Sequence, residues 1–270
     1  MVVNLLRLCV GFLFLSLFTL IYRGFFFPTD ASWEAWGYLF LSGLIGFVIG
    51  DLCLFQAFVL IGARISMLIM ALAPTITALL GRIFLGEVLT LKNWAGMAVT
   101  LAGIALVVLR KADRSAGNGR FNMIRLSYPV WGVVLGLLGA IGQSAGLILS
   151  KLGMQDYDAF AASQIRVLAG IIGFAVLFTV LGRWRDVLIG LSIRKPMLQL
   201  SLGAFFGPFL GVSFSLIAIK YTHTGIAATL MSIVPVLIII PSMLFFDEKV
   251  TFREVTGAVL AVGGVALFFL

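Results

Sequence analysis

Nine apolar stretches alternate with short polar breaks along the chain, at residues 2–22, 36–61, 65–85, 91–109, 129–150, 160–181, 198–220, 226–246 and 252–270. About 20 apolar residues cross the hydrocarbon core as a helix, whereas barrel strands are about half as long and alternate in polarity. The pattern therefore predicts nine transmembrane helices in an all-α polytopic membrane protein. Trp33, Trp36, Trp94, Trp131 and Trp184 fall at or near segment ends, where an amphipathic ring suits the headgroup layer.

The apolar register occurs twice. Residues 36–109 overlay residues 197–270 at a constant offset of 161, without a gap. The overlay pairs Pro74 with Pro235, Glu87 with Glu248, Thr90 with Thr251, Gly96 with Gly257 and Gly103 with Gly264. It also lays Ser42, Gly46 and Gly50 over Gly203, Gly207 and Gly211. Duplicated units of hydrophobic helices characterise secondary transporters, whose halves rock about a midplane site.

The longest polar break separates the halves. Residues 1–110 read as a first repeat of four helices, 111–128 as a basic polar linker around Gly117-Asn118-Gly119, and 129–270 as a second repeat of five helices. The counterpart of residues 129–150 would precede Met1, so the first repeat is expected to lack its first helix. A misplaced start or truncation explains this more simply than a natural nine-span protein. The first apolar stretch has no charged leader and no small-residue cleavage pattern, and reads as a permanent span.

Composition and charge narrow the class. With 61% hydrophobic and 11% charged residues and a mean hydropathy of +1.15, the chain cannot stay soluble. The basic breaks at residues 110–127 and 183–195 belong in the cytoplasm by the positive-inside rule, which leaves Met1 inside and Leu270 outside. The net charge of +8 lies in loops, where it sets orientation and attracts anionic lipid; nucleic acid is excluded as a partner. The expected partners are the bilayer and a small-molecule solute, with a homodimer left open.

Polar positions matched between the repeats are assigned to architecture, and unmatched ones inside spans to the solute. Glycines four apart let a neighbouring backbone approach closely, so Ser42, Gly46, Gly50, Gly203, Gly207 and Gly211 read as helix-packing ladders, joined by Gly132, Gly136, Gly142 and Gly146. Pro74 and Pro235 remove a backbone donor near the middle of equivalent spans and predict kinks or hinges, with Pro208 as a bend in one half only. Glu87 and Glu248 are corner carboxylates, able to pair with Lys92 or Arg253 or to cap the next helix.

The unmatched set is short. Asp51, Gln56, Gln143 and Ser144 lie within spans, and an ionisable group at membrane depth usually faces a cavity or a partner. Arg7 and Arg166 sit early in equivalent segments, where a guanidinium either holds a solute's carboxylate or phosphate or snorkels to the headgroups, the default of the two. Lys151, Lys220 and Tyr221 read as span-end anchors. No Walker motif, HExxH, Cys/His cluster or nucleophile elbow occurs, so the chain is read as a non-enzyme without a cofactor or metal.

These residues resemble the EamA branch of the drug/metabolite transporter superfamily. The resemblance rests on the proline-bearing span ending Phe84-Leu85-Gly86-Glu87 and its counterpart Phe245-Phe246-Asp247-Glu248, each followed by a glycine-bearing helix, and on Ala218-Ile219-Lys220-Tyr221-Thr222. It covers essentially the whole chain. It implies two inverted five-helix repeats, export or exchange of small metabolites, amino acids or drugs across the cytoplasmic membrane, and both termini in the cytoplasm. The last point opposes the charge count, and nine spans depart from ten. A secondary transporter working by alternating access is the reading favoured; a non-transporting membrane scaffold or receptor is the alternative.

Overall fold

The structure, a computed structural model, describes residues 1–115, 129–192, 194–233, 237 and 252–267, and every regular element among them is helical. Helix α1 (Val2–Arg23) is followed by α2 (Trp33–Gly43), which runs through a π-helix (Leu44–Gly50) into α3 (Asp51–Met70). Then come α4 (Ala73–Phe84), α5 (Leu91–Ser115), α6 (Val130–Met154), α7 (Ala159–Leu181) and α8 (Trp184–Ser192). Helix α9 (Arg194–Ala204) runs through a second π-helix (Phe205–Gly211) into α10 (Val212–Tyr221), and α11 (Thr224–Met231) and α12 (Phe252–Ala266) complete the set. Pro235, Glu248 and Thr251, and most of the basic linker, lie outside the described residues.

Helix ends follow local chemistry. Ser32 Oγ accepts from the Ala35 amide at 3.1 Å to start α2, and Asp158 Oδ1 accepts from the Ala161 amide at 2.9 Å to start α7. Gly24 and Gly182 close α1 and α7 in the left-handed conformation. Gly62, at φ 79° and ψ 154°, breaks α3 internally in a conformation that only glycine adopts readily.

Among the described residues, five stretches are long and apolar enough to cross a membrane: Val2–Arg23, Trp33–Gly62, Val130–Met154, Ala159–Leu181 and Pro196–Tyr221. Ala73–Phe84, Leu91–Leu106 and Val255–Ala266 are shorter apolar helices. This is the make-up of a polytopic membrane protein. The expected span at 65–85 is divided, because the chain turns at Ala71 and Leu72 and Pro74 then occupies the first turn of α4. The expected polar break at 183–195 is largely helical, as α8 and the start of α9.

The offset of 161 reappears in the backbone. Leu44 and Gly50 bound one π-helix and their counterparts Phe205 and Gly211 bound the other, while Leu91 of α5 corresponds to Phe252 of α12. Pro208 lies in the second π-helix and Phe47 takes its place in the first, so proline is not what both distortions share. The common element is a pair of glycines four apart, Gly46 and Gly50 or Gly207 and Gly211, which weaken a regular helix.

Contacts divide the chain into two units, each drawing helices from both halves of the sequence. The first comprises residues 1–52 and 145–222. In it α1 packs on α7, α9 and the second π-helix, and α7 packs on α2 and the first π-helix. Its core gathers Leu8, Leu15, Phe47, Val167, Phe174 and Phe178. Gly170 admits Leu8, while Gln164 Nε2 donates to Ser16 Oγ at 2.7 Å, so α1 and α7 run antiparallel.

The second unit comprises residues 53–144 and 223–270. Here α5 packs on α12 and α4 on α11, with Ala57, Ile61 and Leu135 joining α3 to α6. A Cβ on Gly103 would come within 2.5 Å of the Ala261 nitrogen and 2.6 Å of the Gly257 oxygen; one on Gly264 would come within 2.5 Å of the Thr100 nitrogen and 2.8 Å of the Gly96 oxygen. Rising along α5 is descending along α12. The two corresponding helices are therefore antiparallel and touch through the same residues on each side.

Candidate functional site

The charged candidates Arg7, Asp51 and Arg166 all belong to the first unit, where Arg7 and Asp51 meet. The π-helix of Leu44–Gly50 adds a residue to its turn and delivers Asp51, the first residue of α3, to a buried position beside α1. Arg7 Nη2 lies 3.7 Å from Asp51 Oδ2, with the arginine side chain 34% exposed and the aspartate 12%. Removing a charged side chain from water at membrane depth costs about 2.5–3.5 kcal/mol on insertion scales, and pairing offsets part of that cost. The Nε of Arg7 still lacks a hydrogen-bond partner.

Arg166 does not snorkel. It is 3% exposed, and its Cζ lies 5.0 Å from the centroid of the Phe47 ring in a cation–π contact. Its Nε has no hydrogen-bond partner. Gly46, one residue before Phe47, is also beside the guanidinium: a Cβ there would stand 3.6 Å from Arg166 Nη2. The preceding residue-pair position, Gln164, is fully engaged with Ser16, the Phe26 carbonyl at 2.6 Å and Thr19 at 3.4 Å, and serves packing.

The uncharged candidates belong to the second unit. Gln56 is exposed, and Gln143 is half-buried and engaged. Ser144 Oγ donates to the Ala140 carbonyl at 2.8 Å and lies 3.0 Å from that of Ala73, so it ties α6 to the start of α4 near Pro74. Its hydroxyl is spent on backbone.

The architectural positions separate clearly. Ser42 and Ser150 share a hydrogen bond of 2.7 Å, and Gly146 admits the Gly46 backbone at 3.3 Å, so the first ladder carries the end of α6. Gly50 is buried. A Cβ on Gly203 or Gly207 would meet nothing among the described residues, and one on Gly211 would meet only the Phe206 carbonyl of its own π-helix. Among the described residues no backbone approaches Gly203 or Gly207 as Gly146 approaches Gly46. Pro208 is instead the partner of Gly11 on α1.

Glu87 caps a helix that sequence proximity does not suggest. Its Oε2 accepts from the Thr224 amide at 2.8 Å and the Thr224 hydroxyl at 2.7 Å, at the start of α11, while Thr90 Oγ1 caps α5 through the Asn93 amide at 3.3 Å. Lys151 and Lys220 also have specific partners: Lys151 Nζ donates to the Thr222 carbonyl at 2.7 Å, and Lys220 Nζ to the carbonyls of Asp156 and Tyr157 at 2.8 and 3.1 Å.

Sequence reasoning missed a polar cluster outside the spans. Tyr157 donates to Asp30 Oδ1 at 2.9 Å, and Arg23 reaches Asp30 Oδ2 at 2.5 Å and stands 5.0 Å over the Tyr157 ring. Burial, reinforced by the bond to Asp30, pushes the Tyr157 hydroxyl up to about 12. Burial alone would raise Asp30, but hydrogen bonds from Tyr157 and Arg23 outweigh it and hold the carboxyl below its usual range. The cluster borders a cleft of about 400 Å³ lined also by Glu34, Tyr38 and Asp156. The polar breaks between spans carried these residues, but nothing in their spacing indicated that they meet.

Comparison with known proteins places this architecture. The EamA-like transporter family matches residues 1–109 and 130–270. The chain is 26% identical over 233 residues to the uncharacterized transporter YdfC of Bacillus subtilis (strain 168), spanning 86% of this chain and 71% of that protein. It is 31% identical over 114 residues to an uncharacterized protein of Haemophilus influenzae (strain ATCC 51907 / DSM 11121 / KW20 / Rd), covering 42% of this chain and 83% of the relative. A protein known from a crystal structure shares the fold, with a TM-score of 0.71 at 16% identity over 98% of this chain and 86% of its own.

Proposed function

Because the chain belongs to the EamA-like transporter family, a family of non-enzymatic membrane transporters, we propose that it moves a small solute across the cytoplasmic membrane by alternating access between two inverted repeats. One observation carries the mechanism: helices that correspond between the halves pack on each other antiparallel, α5 on α12 at the offset of 161 and α1 on α7 as equivalent segments. Repeats related by an axis along the membrane normal would set such helices parallel; an axis in the membrane plane sets them antiparallel. Two inward-facing and outward-facing forms of similar energy are then available by exchanging the conformations of the repeats.

The solute pathway in this reading runs past Arg7, Asp51 and Arg166 of the first unit, with Pro208 as a point of bending. Driving energy comes from a proton or solute gradient, since the chain has no nucleotide-binding motif. Asp51 is the residue on which the cycle depends, because removing its charge leaves Arg7 without its carboxylate.

Flux through the purified chain in proteoliposomes, across a metabolite panel with and without a pH gradient, tests the proposal. Asp51→Asn is expected to lower flux by roughly tenfold or more while the protein still inserts and folds. Absence of solute movement with every member of the panel, or flux unchanged in the variant, would count for a non-transporting scaffold or receptor.

A further inference from the structure

We propose that the transported solute carries an oxyanion, a carboxylate or a phosphate, and that the guanidinium of Arg166 binds it; this rests on the transport function proposed above. Arg166 is a buried cation, and among the described residues no carboxylate forms an ion pair with it. Its Nε makes no hydrogen bond although it is buried, and its Cζ stands 5.0 Å from the centroid of the Phe47 ring, which offers no anion. A planar fork of N–H groups matches carboxylate and phosphate oxygens, and its cost inside a membrane is met when such a group arrives.

The protein's own carboxylates are committed elsewhere. The first unit holds six, and Asp51 pairs with Arg7, Asp30 with Arg23 and Tyr157, Asp186 with Arg183, and Asp158 with the amide that starts α7. The other two, Glu34 and Asp156, are exposed at helix ends. Among the described side chains inside the spans of the first unit, Arg7 and Arg166 stand against Asp51, an excess of one positive charge that an anion of one charge would neutralise. Gly46 lies beside this guanidinium, where a Cβ would stand 3.6 Å from Nη2 of Arg166.

The test measures melting of the full chain in nanodiscs of neutral phosphatidylcholine with succinate, inorganic phosphate or uncharged succinamide. Succinate or phosphate is expected to raise the melting temperature, and succinamide is not. Arg166→Gln should abolish that response and melt, without solute, at or above the wild type, because a buried unpaired charge has gone. Arg166→Lys keeps the charge without the fork and should weaken the response by roughly tenfold. The proposal fails if neither anion stabilises the wild type, if Arg166→Gln melts lower and keeps the response, or if Arg166→Lys behaves as wild type. It also fails if stabilisation requires anionic phosphatidylglycerol in the disc, for then a lipid headgroup is the occupant. Flux separates the two readings: a neutral or cationic solute transported equally by Arg166→Gln overturns the anion site and leaves transport standing, whereas anion binding without flux does the reverse.

Discussion

Thr100 and Ala261 stand 161 positions apart in the chain and meet in space: Thr100 Oγ1 lies 2.8 Å from the Gly96 carbonyl of its own helix and 3.4 Å from the carbonyl of Ala261. A residue that touches its own counterpart marks the axis relating two repeats. Gly103 and Gly264 flank that point, each against the backbone of the opposite helix.

Both glycines should therefore be equally intolerant of a side chain. Gly103→Ala and Gly264→Ala each place a Cβ against backbone nitrogen and oxygen atoms 2.5–2.8 Å away, which cannot rotate aside. Each is expected to cost about 1–3 kcal/mol by forcing α5 and α12 apart. Melting of the purified variants in detergent checks this, and a cost at only one site would argue against the shared axis.

The ladders predict an asymmetry. Gly146→Leu drives a side chain into the Gly46 backbone and should destabilise by about 1–3 kcal/mol, with loss of the 2.7 Å bond between Ser42 and Ser150. Gly203→Leu projects into open space among the described residues and should change stability by less than about 0.5 kcal/mol. Equal effects would mean that something covers Gly203 in the membrane.

Much of this fold was legible because bilayer helices must satisfy their backbone internally, which writes each span into the sequence as a long apolar run. The repeat was legible for a related reason: glycines at packing crossings cannot drift without separating helices, so Gly96, Gly103, Gly257 and Gly264 kept their register. The π-helices were not, since one contains Pro208 and the other does not, and a widened turn has no signature of its own. Arg166 was misjudged as a snorkelling residue because its surroundings include Phe47 and Gly46, brought to it by the first π-helix and invisible in its own segment.

Long-range capping was hidden for the same reason. Glu87 lies three residues from Thr90 and was read as serving the adjacent helix, but it caps α11 from 137 positions away. Glu87→Ala should cost about 1–2 kcal/mol, the usual worth of a lost N-cap, and Glu87→Gln less, since its carbonyl oxygen still accepts from the Thr224 amide. Melting curves of the two variants give the comparison, and an effect of Gln as large as that of Ala would show that the charge, not the acceptor, matters.

The Arg23, Asp30 and Tyr157 cluster gives the protein a pH dependence at both extremes. Tyr157 is raised from 10.0 to about 12 in the folded state, so its contribution is complete below pH 10 and fades as pH rises toward 12. Asp30 is lowered from 3.8, so its contribution is present above that value and is lost as pH falls through the depressed one. Among the chain's five tyrosines, absorbance titration should resolve one that ionises later than an ordinary phenol, and Tyr157→Phe should remove it. The same variant should flatten the alkaline fall in melting temperature between pH 10 and 12, while Asp30→Asn flattens the acid one. A late tyrosine that persists in Tyr157→Phe would place the raised group elsewhere and remove the cluster as the source of the alkaline limb.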